Sequence, residues 1–326
     1  MKILFNRNNS IGTLCLLLLL AAVAGACVKD EYAEKEKATL TLYFTTTKNE
    51  NGTSSDGTII GQKLPNEHMR TLRVIVADKQ GKIRYNTKVN VPENQTQTVI
   101  NFSELIVDSD GTTTFDVYAI ANEEVLKILK NKILDNTILS KLNEGIAKDE
   151  YKEGYAVPQT AIQEVTVTPG QDNSATIPLE FVVAKVRMTI NNTSAVKQTV
   201  SEIKLSGLNI ASTPLFAGDP LSTEKTGELS LGGMTISAGG VATVYAYFYE
   251  NQNTDGYQLT ANWNGKGQKL LLQTDSDGYK QTITKIPRGK MLDITIKLNA
   301  DVDIEPTINV QVDEWTGKTI DVPPFQ

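Results

Sequence analysis

Cysteine is nearly missing from this 326-residue chain: there are two, Cys15 and Cys27, both at the N-terminal end. The body from Val28 to Gln326 holds none and can form no disulfide, so a fold there is held by core packing alone. Histidine is rarer still, with His68 the single one. Ser-His-Asp and Cys-His catalysis are thereby excluded unless His68 itself serves, and a zinc site of the usual Cys/His kind lacks its ligands. His68 precedes a strand-like run and reads as a turn or edge residue. No G-x-x-x-x-G-K-[S/T] loop is present to cradle a phosphate. Basic residues number 32 against 38 acidic ones, for a net charge of −6. That balance, with no basic stripe, argues against nucleic acid as a partner. No apolar run reaches the roughly 20 residues of a membrane-spanning helix.

The longest apolar run, Leu14–Ala26, instead has the layout of a secretory signal. Lys2 and Arg7 precede it, and the small residues Ala24-Gly25-Ala26 close it directly before Cys27. This junction resembles a bacterial lipobox, with Ala24 where those signals usually carry leucine. The resemblance implies that Cys27 is lipidated and becomes the new N-terminus. Several acyl chains would hold the protein stably on a membrane, since each buried methylene contributes about 0.8 kcal/mol. Lys29-Asp30-Glu31 resembles the surface-export signal of Bacteroidota lipoproteins, a lysine followed by two acids, and implies the outer face of the outer membrane. Without residues 1–26 the chain carries 30 basic and 38 acidic residues, a net charge of −8. The remaining length exceeds what a single core usually serves, so two domains are expected.

Most of that length reads as β-structure. Short alternating or apolar runs recur between Gly, Asn, Asp and Pro: Leu40–Phe44, Leu72–Ala77, Val165–Thr168, Leu179–Ile190, Val241–Phe248, Leu270–Gln273 and Leu292–Leu298. Regular short strands with turn signals between them predict β-sandwiches. Asp78-Lys79-Gln80-Gly81 and Asp275-Ser276-Asp277-Gly278 suit hairpin turns. From Glu123 to Ile146 the apolar residues fall three or four apart, which predicts helix, broken near Asn136-Thr137 and stopped by Gly145. The turn chemistry of Thr168-Pro169-Gly170-Gln171-Asp172-Asn173 marks the domain boundary. The expected plan is a signal (1–26), a linker (27–37), a first sandwich (38–172) with helices near 123–146, a second sandwich (173–300) and a tail (301–326).

Six stretches, in order, are similar to the fimbrillins that build the type V pili of Bacteroidota. They are Ala38–Leu42, Leu72–Asp78 with Gly81, Val117–Asn122, Val183–Val186, Tyr247–Asn251 and Val310–Trp315. The resemblance implies two tandem transthyretin-like β-sandwiches, no enzymatic activity, and other pilin subunits as partners. It also implies assembly by strand donation. In that family a protease cuts after an arginine and removes the first strand, and the tail of the next subunit fills the groove. Backbone hydrogen bonds then supply affinity, and alternate side chains in pockets supply specificity. An unfilled groove is an aggregation-prone edge.

This chain departs from the family at the cleavage site. No arginine lies in the polar stretch after Leu40, Leu42 and Phe44; the first ones past the signal are Arg70 and Arg73, which adjoin a predicted strand. A retained first strand and a retained lipid imply the family's anchor subunit at the fibre base. A shaft pilin cut elsewhere, for instance at Lys48, is the alternative. The tail alternates Ile308, Val310 and Val312 with Asn309, Gln311 and Asp313, followed by Trp315. Such a strand serves equally as a donor or as the last strand of the second sandwich.

Other candidate chemistry is thin. Asp108-Ser109-Asp110-Gly111 and Asp275-Ser276-Asp277-Gly278 begin like calcium loops, but Ala119 and Ile286 stand at the twelfth position, where glutamate is needed. Asp301, Asp303 and Glu305 read as a solvated linker. Nothing in the chain implies a metal or another cofactor. Tyr245, Tyr247 and Tyr249 would share one strand face. They leave open a second reading, a monomeric surface lipoprotein that binds glycans. Host or bacterial surface ligands are conceivable partners under either reading.

Overall fold

The computed structural model describes residues 35–46, 52–53, 59–60, 64–92, 95, 97–108, 111–125, 145–147, 156–216, 223, 227–263, 265–276, 279–299 and 307–315. The expected signal, Cys27, Lys29, Asp30, Glu31 and most of the linker lie outside these residues.

The first sandwich contains β1 (Lys35–Thr46), β2 (Thr71–Asp78), β3 (Ile83–Asn90), β4 (Gln97–Asp108), β5 (Thr113–Ala121), β6 (Gln159–Val167) and β7 (Asp172–Phe181). Their order is β3-β2-β5-β6-β7-β1-β4. Strands β6 and β7 pair only at Glu180↔Thr160 and Phe181↔Gln159. The sheet folds over at that corner, and its two ends meet where the rings of Tyr85 and Phe102 stand 5.0 Å apart. Alternation explains the core. Leu40, Leu42 and Phe44 of β1 pack with Leu72, Val74 and Val76 of β2, Phe115 and Val117 of β5, and Ile177 and Leu179 of β7. The β2–β3 turn forms where expected. Gly81 N donates to Asp78 O at 2.8 Å, and Gly81 takes φ +77°, a region that disfavours side chains.

The second sandwich has two four-stranded sheets. One runs β11 (Val241–Phe248), β8 (Ala184–Asn192), β14 (Lys290–Leu298), β15 (Thr307–Glu314). The other runs β10 (Gly227–Ile236), β9 (Gln198–Leu208), β12 (Gln258–Trp263), β13 (Lys266–Leu271). Val186, Met188 and Ile190 of β8 and Leu292, Ile294 and Ile296 of β14 face Val200, Ile203 and Leu205 of β9 across one core.

Two expectations need correction. The turn at 168–173 lies inside the first sandwich and carries the chain from β6, which pairs with β5, to β7, which pairs in parallel with β1 from Thr39↔Asp172 to Thr46↔Leu179. The chain passes to the second core at Val182–Val183, where the apolar run Leu179–Ile190 divides into two strands. The helical expectation meets a 3-10 turn at Glu123–Val125 and a strand at Gly145–Ala147 that pairs with Ser212–Pro214. Ile146 thus sits opposite Thr213 in a ladder, and residues 126–144 lie outside the described ones.

Candidate functional site

The first candidate feature is the slot filled by β1. This strand lies between β7, to which it is parallel, and β4, to which it is antiparallel. Leu40, Leu42 and Phe44 are each fully buried. The sequence picks out these three residues, and the structure brings them together on the core face. Taking β1 away would leave two facing strand edges and an apolar trough between them.

Downstream of β1, Arg70 lies exposed just before β2 and Arg73 within it. Arg73, in mid-β2, forms a two-pronged ion pair with Glu123 and also donates to Asn86 Oδ1 at 2.8 Å. Burial alone would raise the Glu123 carboxyl pKa, but hydrogen bonds from Arg73 and Lys88 hold it below the usual range. Arg70 is tied through its backbone N–H to Asn122 Oδ1 at 2.9 Å and through its guanidinium to Pro65 O at 3.1 Å.

The second feature is the tail. Strand β15 pairs antiparallel with β14 from Lys297↔Thr307 to Lys290↔Glu314 and has no other sheet neighbour among the described residues. Val310 is buried, while Ile308 and Val312 are half-buried against the second core. Trp315 leaves the core of this sandwich for its outer face. It is buried between the ring of Phe181 (4.1 Å, stacked) and that of Tyr247 (5.6 Å, stacked).

Trp315 thereby covers the third feature, a polar cluster at the junction of the sandwiches. Cross-strand register places Tyr247, Lys185 and Met291 in one row on the outer face of the β11-β8-β14-β15 sheet. The 3-10 turn Pro65–Glu67 of the first sandwich sits on that row. Asn122, in the left-handed region at φ 57°, positions the turn by donating to His68 O (3.0 Å) and Val157 O (2.8 Å). Val157 N donates to Asn66 O at 2.6 Å, and Gln159 Nε2 to Glu67 O at 3.2 Å. Glu67 Oε1 then receives Lys185 Nζ at 2.6 Å and the Tyr247 hydroxyl at 2.8 Å, while its Oε2 accepts Leu64 N at 3.1 Å. Glu67 is 0% exposed and Lys185 2%. The ammonium lies 4.7 Å from the Tyr245 ring centre and 5.5 Å from that of Trp315. Burial pulls the Lys185 pKa below the ordinary lysine value, against the attraction of Glu67. Ile75, Ile120, Leu215, Phe216 and Tyr249 complete an apolar layer around the junction.

Sequence reasoning missed this cluster. Its only sequence-level sign is a lysine inside the apolar run Val182–Val186, since Glu67 is remote in sequence. The same cluster uses up the tyrosines proposed as a glycan platform. Tyr249 is buried and Tyr247 half-buried in the junction, while Tyr245 is 36% exposed.

This arrangement defines a protein of two tandem β-sandwiches. The fold is similar to that of the C-terminally truncated tip fimbrial protein Mfa3 from Porphyromonas gingivalis, with a TM-score of 0.59 and 12% identity over 86% of this chain and 100% of that one. It is also similar to a fimbrilin from Porphyromonas gingivalis W83, with a TM-score of 0.51 and 11% identity over 86% of this chain and 98% of that one. No protein-family model matches the chain, and no curated protein does.

Proposed function

We propose that this chain is a structural subunit of a cell-surface fimbria, joined to its neighbours by strand donation and held at the fibre base. The observation that carries the reading is the central position of β1, with Leu40, Leu42 and Phe44 fully buried between β7 and β4. With β1 in place the slot is closed to a donor from another subunit. The chain then accepts no strand but still offers β15, which has a single sheet neighbour among the described residues. Lipidation of Cys27 and export directed by Lys29, Asp30 and Glu31 would fix such a subunit to the outer membrane. The fimbrial proteins of similar fold support this reading.

Strand donation is tested by mixing residues 28–326 with a fimbrial subunit that lacks its first strand. A complex that survives mild SDS is expected, and it should be lost when residues 307–326 are removed. No complex, or one indifferent to the tail, overturns donation. The anchor assignment is tested separately. An arginine-specific protease added to the folded chain should leave β1 attached, because Arg73 is locked by Glu123 and Arg70 by Asn122 and Pro65. Release of an N-terminal fragment containing Leu40–Phe44, with the rest still folded, would point instead to a shaft subunit. A lysine-specific cut at Lys48 giving that result supports the alternative maturation.

A further inference from the structure

We infer that Trp315 is a latch through which the seating of β15 sets how rigidly the two sandwiches are joined. This rests on the reading of β15 as a strand that can leave. The indole lies between a residue of the first sandwich and one of the second: Phe181 ends β7, and Tyr247 lies in β11. Its backbone is fixed at the same point, since Trp315 N donates to Gly289 O at 3.2 Å. Gly289 N in turn donates to Val183 O at 2.9 Å, in the crossing between the sandwiches. Gly289 has φ +65°, a conformation that side chains rarely adopt, and a Cβ there would also press on the Glu180 side chain, 3.0 Å from its Cγ, so glycine suits this point. The residue that follows the tail strand is therefore bound to the junction by both backbone and side chain.

The coupling follows from what the indole covers. Lys185 and Glu67 hold the sandwiches together only while water is kept away, because the attraction between two charges collapses as the local dielectric rises. Trp315 is one wall of that dry space, with its ring centre 5.5 Å from Lys185 Nζ. If β15 peels from β14, Trp315 goes with it, and Phe181, Tyr247 and Lys185 face solvent. The pair then becomes a hydrated one, and the turn Pro65–Glu67 is free to lift from the sheet. Linkage makes the effect reciprocal: whatever loosens the junction favours release of β15 by the same factor. The Trp315 Nε1–H, buried with no acceptor among the described residues, weakens the seat, as suits an element that must leave. A donated tail would thus turn a rigid subunit into a hinged one.

Hydrogen exchange read by mass spectrometry on residues 28–326, with no partner added, tests this. In Trp315→Ala, amides at 64–68 and 184–187 should exchange faster, within the roughly 5- to 150-fold range of ordinary coupling energies. Those of Thr71–Asp78 and Thr113–Ala121 should be unchanged, and Trp315→Phe should restore most of the protection. The reciprocal arm uses Lys185→Met, which should speed exchange in Thr307–Glu314 with Trp315 intact. Unchanged exchange at 64–68 in Trp315→Ala overturns the latch. If that variant loosens the whole second sandwich, the Lys185→Met arm decides, and unchanged exchange in β15 overturns it. Coupling in the free chain without strand donation to a partner would refute the donor reading and leave the latch. Donation without coupling would do the reverse.

Discussion

A chain that begins at residue 47 is expected to keep a folded second sandwich and to lose the first, which a synthetic peptide of residues 35–46 should restore. Strand β1 is bonded on both edges, to β7 and to β4. Its loss therefore strands two ladders of backbone groups as well as an apolar face. Burying each of Leu40, Leu42 and Phe44 contributes about 1.5–3 kcal/mol. A domain's whole margin is about 5–15 kcal/mol, and the cysteine-free body has no disulfide to make up a shortfall. Single substitutions grade the effect. Phe44→Ala should cost about 3–5 kcal/mol, and Leu40→Ala or Leu42→Ala about 2–5 kcal/mol. Urea titration followed by exchange of the β2 and β5 amides would measure this for the first sandwich alone. A Phe44→Ala penalty near zero would mean that β1 does not hold the core, and the slot would lose its standing as the assembly site.

The two strands assigned to assembly differ in topology, and the difference bears on order of events. β1 is flanked on both sides, so it can leave only if the chain after it is cut and both ladders open. β15 is an edge strand, so a single ladder, Thr307–Glu314 against Lys290–Lys297, has to open. Under the proposed donation its apolar face would exchange one core for another, and the backbone bonds given up on β14 would be remade in the receiving slot. A slot with two open edges would return two ladders for the one given up, so in the proposed donation the barrier to peeling β15, not the end states, would govern how long a free subunit keeps its tail at home.

Strand alternation was legible from the residues alone, because period-two burial is written in the side chains. Val241–Phe248 is a strand over exactly the expected span, and Leu292–Leu298 lies within β14. The boundary between sandwiches was less legible. The turn chemistry of 168–173 serves a turn within a domain as well as a domain break, and only the pairing of Asp172–Phe181 with β1 decides. The true crossing, Val182–Val183, lacks turn residues because the crossing itself is buried in the junction layer. The candidate site divides in the same way. Leu40, Leu42 and Phe44 could be named from pattern, whereas Glu67 and Lys185 meet through tertiary structure. Trp315 reads as a terminal strand residue in sequence and is a junction residue in space.

Breaking that junction pair from one side is expected to be among the costliest single changes in the protein. Glu67→Ala would leave the Lys185 ammonium buried with no counter-charge and take an acceptor from Tyr247 and Leu64. Loss of one partner of a buried pair costs about 3–5 kcal/mol. Replacing both partners with apolar residues of similar size, Glu67→Leu with Lys185→Met, should recover most of the loss, because desolvation of two ions is then no longer required. Denaturant titration of the two singles and the double gives the coupling directly. The pH dependence has a defined sign. Burial makes Lys185 release its proton below the ordinary value of 10.5, whereas the unfolded chain holds that proton up to it. In the window just beneath 10.5 the unfolded state therefore binds more protons, and the native state gains stability as the pH rises. Tyr257, fully buried, and Tyr245, partly shielded at 36% exposure, have pKa values raised by desolvation and work in the opposite direction at high pH. The difference between wild type and Lys185→Met isolates the lysine: it should grow in favour of wild type as the pH climbs through that window. A difference that stays flat would show that Lys185 keeps its ordinary pKa in the folded protein and that water already reaches the pair, in which case the junction is held by its apolar layer and not by charge.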